Sequence, residues 1–175
     1  MHGDLRQNRP GAAQPCNVGG GGDVNGDGYP DIVSGGWAQA SWVYSGRQLA
    51  LRGDVHEIAL PAGGTQNLRL HAGAAHAHRT YWIAGSIHGI SPGIQLHGIH
   101  IPLNPDRYTD LLFTHVGAPQ LSGFRGVLND DGAAVAAIHV PDRMPPGSVT
   151  LHHAFLVYTA SGVHWVSNAV PLSLK

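Results

Sequence analysis

From residue 64 onward, apolar and polar positions follow short runs of the kind that sheets make. Gln66-Asn67-Leu68-Arg69-Leu70-His71 alternates polar and apolar, as a strand with one wet face does. Comparable runs, rich in Val, Ile, Leu, Thr and aromatics, cover 65–72, 79–88, 93–101, 108–116, 121–129, 133–140, 148–159 and 164–174. Each is bounded by Gly, Pro, Asn or Asp, the residues that turn a chain. Asn129-Asp130-Asp131-Gly132 predicts a hairpin turn, with Gly132 supplying the positive φ. No window holds a helical period. The pattern therefore predicts an all-β fold over 63–175, an antiparallel β-sandwich of about eight strands.

The first third of the chain reads differently. Residues 1–18 are polar, contain proline and lack periodicity, which predicts an extended or disordered segment. Glycines 19 to 22 then lead into Asp23-Val24-Asn25-Gly26-Asp27-Gly28-Tyr29-Pro30-Asp31. Oxygen-bearing side chains fall at loop positions one, three, five and nine, with glycine at six. That spacing suits calcium, which takes about six to eight hard oxygen ligands from alternate residues of a tight loop. Asp23, Asn25, Asp27 and Asp31 are the expected side-chain ligands, and Tyr29 is expected to ligate through its carbonyl. An EF-hand would carry a bidentate Glu at position twelve, where this chain has Ser34. Two short β-like runs, 31–36 and 41–46, follow the loop, and 19–62 is expected to form one calcium-binding unit.

Composition narrows the classes. Only 12% of the 175 residues are charged, while 25 are glycine and 12 proline, a profile of a turn-rich β-protein. The formal net charge is −1 and no run of Lys or Arg occurs, so no nucleic-acid footprint is predicted. No window approaches the ~18 consecutive apolar residues of a membrane span. The first six residues have no apolar core and do not read as a signal peptide. Cys16 stands alone, so no internal disulfide is expected.

With Asp at position nine followed by Ile32-Val33, residues 19–62 resemble one FG-GAP repeat, the calcium-binding blade of integrin-like β-propellers. Gly64-Thr65-Gln66-Asn67-Leu68, Tyr81-Trp82-Ile83-Ala84-Gly85-Ser86, Pro102-Leu103-Asn104-Pro105-Asp106, Gly126–Gly132 and Val166-Ser167-Asn168-Ala169-Val170 resemble the C-terminal β-domain that follows such repeats in large secreted bacterial proteins. The resemblance implies an extracellular or cell-surface location and a calcium ion. A lone blade cannot bury both its faces and leaves sheet edges open, which implies self-association through strand edges.

Other chemistry is sparser. Thirteen histidines are present; if their segment is a strand, His76 and His78, two apart, share one face and could form a second, transition-metal site. His71, His97, His100, His152 and His153 lie in runs that would converge on them. No Gly-x-Ser-x-Gly elbow occurs, and the acids beyond the calcium loop sit in apparent turns, so no catalytic set is expected. Trp37 and Trp42, on the hairpin of the incomplete blade, are candidates for stacking on a glycan or a partner. The chain is therefore expected to be an extracellular, calcium-binding structural or adhesive protein. A carbohydrate-binding module is the alternative, and a metal-dependent enzyme using the histidines a third class.

Overall fold

The computed structural model describes residues 17–22, 24, 31–35, 41–44, 50–96, 98–115 and 117–175. The chain divides into two compact units, Met1–Ser45 and Gly46–Lys175. The expected segment 1–18 lies almost wholly outside the described residues. Among those residues, no helix is long and apolar enough to cross a membrane.

In the first unit, β1 (Asn17–Gly22), β2 (Asp31–Gly35) and β3 (Ser41–Tyr44) form an antiparallel sheet in the order β1-β2-β3. The register runs Asn17↔Gly35 and Gly19↔Val33 on one side of β2, and Ile32↔Tyr44 and Gly35↔Ser41 on the other. A bulge between Gly20 and Gly22 shifts the ladder next to the predicted calcium loop. Strands β2 and β3 coincide with the apolar runs. Strand β1 has no such signal, because glycine is depleted in strands and offers no side chain to pattern.

The second unit is β-rich and mostly antiparallel, with several sheets in a β-sandwich-like arrangement. One sheet runs β10 (Leu121–Ser122), β12 (Ala133–Val140), β6 (Gly64–His71), β4 (Leu51–Gly53). A larger sheet runs β11 (Arg125–Val127), β7 (Thr80–Ser86), β13 (Val149–Thr159), β15 (Val170–Leu174), β5 (Glu57–Ile58), with β14 (Gly162–Val166) also paired to β13. Leu51–Gly53 and Glu57–Ile58, expected in the calcium-binding unit, pair here with Leu68–Leu70 and with Ser173–Leu174. The β5–β15 pair is parallel.

The alternation read from sequence decides which side of β6 is wet. Gln66, Leu68 and Leu70 are buried, and the residues between them are exposed. Strands β7 and β13 bury both faces instead. On one face Tyr81 pairs with Val157 and Ile83 with Phe155; on the other Trp82 pairs with Leu156 and Ala84 with Ala154. A strand covered on both sides reads as a continuous apolar run, as Tyr81-Trp82-Ile83-Ala84 does.

Residues 87–114 supply side chains that line the second face, while Tyr108 and Leu112 reach Gly85 and His153 on the first. This segment holds a hairpin, β8 (Ile94–Leu96) with β9 (Ile99–Ile101), and a helix, α1 (Arg107–Thr114). The helix corrects the sequence reading, which placed a strand at 108–116. Asp106 caps it in a capping box: its side chain accepts from the Tyr108 and Thr109 amides, while Thr109 Oγ1 accepts from the Asp106 amide. That reciprocal pair settles the local fold where apolar content alone does not. Three other predicted strands split in two: 93–101 at the β8–β9 turn, 121–129 between the sheets, and 164–174 between β14 and β15. Gly132 does take φ 70°, with its amide on the Asn129 carbonyl at 2.9 Å. The turn joins β11 to β12, however, and those strands lie in different sheets, so it is a crossing between layers and no hairpin.

Candidate functional site

Of the predicted calcium ligands, Asp23, Asn25, Asp27 and Tyr29 lie outside the described residues. Asp31 opens β2 and is buried, at 1% exposure. Its Oδ2 accepts the Val24 amide at 2.8 Å, which brings loop positions two and nine together. Trp37 lies outside the described residues, and Trp42 is described only by its backbone, opposite Ser34.

Among the described residues the histidines do not assemble into a metal site. His76 ends a 3₁₀ turn, Ala74–His76, and its ring meets Trp165 with centroids 5.7 Å apart. His78 follows in the left-handed region, φ 60°, with Nε2 3.3 Å from Asp130 Oδ1 in solvent. No strand runs through them: Gly73, at φ 83°, ends the extended run after β6. Among the described residues no group of three His, Cys, Asp or Glu side chains is placed to hold a metal ion. His97 lies outside them.

His153 is buried on the Phe155 face of β13 and meets the Tyr108 hydroxyl through Nε2 at 2.7 Å. Burial, with a smaller push from His152, lowers its pKa to about 3, so the imidazole is neutral. Burial, with the Asp106 charge, raises the Tyr108 hydroxyl well above the ordinary tyrosine range. This pair therefore holds α1 to the sheet without ionising near neutrality.

Ser86, His88 and Asp106 also meet, in an order that does not activate a nucleophile. The Ser86 hydroxyl donates straight to Asp106 Oδ2 at 3.0 Å, and Ser86 is fully buried. The same oxygen accepts the Ile87 and His88 amides at 2.7 and 3.0 Å, while Oδ1 holds the helix amides of Tyr108 and Thr109. Burial raises the Asp106 pKa, but the bonds from Ile87, Thr109, Ser86 and His88 outweigh it and hold the carboxyl below the usual range. Asp106 ties the end of β7 to the start of α1.

A concave feature of the second unit lies over the Trp82 face of its larger sheet. It is a cavity of about 570 Å³. Trp82 and Ala84 of β7, Leu156 and Tyr158 of β13 and Val163 of β14 form its floor, in register with one another. Ile94, Leu96 and Ile101 of the hairpin make one wall, continued by Leu103 and Pro105. Thr109, Asp110 and Phe113 of α1 line it too, and Arg125 enters from β11, opposite Trp82. The Phe113 and Trp82 rings lie 3.5 Å apart at 31°. Trp82 and Trp165 are 8% and 5% exposed, so neither offers a flat platform for a glycan.

Reading 108–116 as a strand left this cavity without its helical side. The signal was present in Asp106-Arg107-Tyr108-Thr109, an N-cap acid with a hydroxyl residue at the third helical position. No family model matches the chain, and neither does any curated protein.

Proposed function

We propose that the chain is a calcium-stabilised, non-catalytic β-module of the cell exterior with a structural or adhesive role, built from one FG-GAP-like unit and a β-sandwich domain. The observation that supports it best is Asp31. A nearly fully buried carboxylate needs hydrogen bonds or a counter-charge. Here it accepts an amide from the far end of its own loop, which draws the two ends together. In this reading the acids at loop positions one, five and nine share one cation, since like charges a few ångströms apart repel without one. The other acids and histidines described here serve the fold: Asp106 as a cap and tie, His153 as a neutral partner of Tyr108.

Self-association is part of the proposal. Within the described sheet of the first unit, β1 and β3 are edge strands, and open edges pair with further strands.

The test is thermal unfolding of the whole chain in millimolar calcium and in chelator, with calcium titrated calorimetrically. A cation bound only by the folded state raises the melting temperature by mass action. The expected affinity is on the order of 10⁻⁴ to 10⁻³ M, that of extracellular modules. Asp27→Ala should erase the difference between calcium and chelator, and Ser34→Ala should leave it intact. Identical melting curves and no heat of binding would remove calcium from the proposal. Sedimentation that finds a monomer across a wide concentration range would remove self-association.

A further inference from the structure

We propose that the cavity over the Trp82 face binds a small amphipathic molecule, an apolar body seated against Trp82 with a carboxylate on Arg125. A cleft of about 570 Å³ walled by a hairpin, a helix and a sheet has the size of a small-ligand site. The floor is apolar where a solvated sheet face would be polar. At the mouth, Phe113 is 58% exposed and Ile94 37%, two large apolar side chains that a seated ligand would cover.

Charge selects the head group. Arg125 and Asp110 are the charged residues lining the cavity. Asp110 sits in the first turn of α1, where the aligned peptide dipoles favour a negative charge. Arg125 has no such compensation: on a short edge strand, its guanidinium makes no ion pair among the described residues. A guanidinium fork matches a carboxylate in two parallel hydrogen bonds. The register places that fork beside the indole, since Arg125 pairs with Trp82 across the β11–β7 ladder. Head and body of the ligand are thus both addressed from one end of the floor. This inference does not depend on the calcium loop, which lies in the other unit.

The test titrates the full chain with decanoate, decanol and decylammonium below their aggregation limits, following tryptophan fluorescence and calorimetric heat. Saturable binding of one decanoate per chain is expected, about tenfold or more tighter than decanol, because a charge-assisted pair adds to the apolar term. Arg125→Gln should bring decanoate down to the affinity of decanol and leave decanol unchanged. Ala84→Leu should weaken both by filling the floor; Ile94→Trp, at the exposed mouth, does the same job if the first variant does not fold. Decanoate binding should persist in chelator. Four results would overturn the proposal: no saturable binding of any probe, a preference for decylammonium, an anion preference that survives Arg125→Gln, or binding indifferent to a folded cavity-filling variant.

Discussion

Replacing Asp106 with Asn separates two roles that an alanine substitution would merge. Asn is ordinarily as good an N-cap as Asp, so a residue that only capped α1 would tolerate the change within a few tenths of a kcal/mol. Asp106, however, uses both oxygens. Oδ1 accepts the Tyr108 and Thr109 amides at 2.8 and 3.1 Å, and Oδ2 accepts Ser86 Oγ and the Ile87 and His88 amides at 3.0, 2.7 and 3.0 Å. Whichever way an Asn amide is turned, its NH₂ group faces donors and leaves them unsatisfied in a site where the Asp106 side chain is 3% exposed. Hydrogen bonds to a charged acceptor contribute about 1.5–3 kcal/mol each and do not add fully, so a loss of roughly 3 kcal/mol is expected. For a domain of this size that lowers the melting temperature by roughly 10 °C. Urea and thermal unfolding measure it. The pH dependence gives a second check. The folded carboxyl lies below its ordinary range, so its contribution is present above the unfolded carboxylate pKa and lost as pH falls through the folded value. The Asn variant should lack that component of acid loss. A variant within 0.5 kcal/mol of the parent would refute the double tie between β7 and α1.

Tyr108→Phe removes the partner of His153 Nε2 and should cost about 1–3 kcal/mol, read by urea unfolding. The parent should also lose stability as pH falls from about 6.5, the unfolded histidine value, towards about 3, because the unfolded histidine takes up a proton while buried His153 stays neutral. Gly132→Ala would put a methyl group 1.9 Å from the Gly73 carbonyl oxygen at φ 70° and should cost roughly 3 kcal/mol or more. Gly89→Ala, at φ 85° with nothing within 4 Å, isolates the backbone term and should cost roughly 1–2 kcal/mol. Asp31→Ala should lower the melting temperature in chelator as well as in calcium, since it also removes the bond to Val24.

The parts of the fold that were legible in the sequence are those where one residue type decides one local outcome. Alternation in 66–71 gave the wet and dry sides of β6, and 133–140 is a strand over its full predicted length. What could not be read is long-range. Nothing in Leu51-Arg52-Gly53 says that its partner is Leu68–Leu70 of the sandwich, and nothing in Glu57-Ile58 points to Ser173-Leu174. The helix was missed for another reason. Tyr108, Leu111, Leu112 and Phe113 are acceptable in a strand, and the choice is made by two side chains at the N-terminus that satisfy each other. For the candidate cavity, the sequence offered Trp82 as an aromatic without saying that its face of the sheet would be roofed by an excursion. The acids and amide of the predicted calcium loop were read from spacing, and Asp31 is the one among the described residues.

The parallel pairing of β5 with β15 sets a timetable for the nascent chain. Glu57 and Lys175, linked by a 2.5 Å ion pair, are 118 positions apart, and the Leu60 amide donates to the Lys175 carbonyl at 2.7 Å. Strand β13, the centre of its sheet, likewise waits for β14 and β15 on one side while β7 has long been made. A ribosome would release β5 with no partner, and the sheet edge beside it would close only when residues 170–175 emerge. Contacts this distant in sequence slow folding, because the entropy of closing the loop must be met before they form. The second unit is therefore expected to fold as one step once residues 170–175 have been made, and to be vulnerable to aggregation until then.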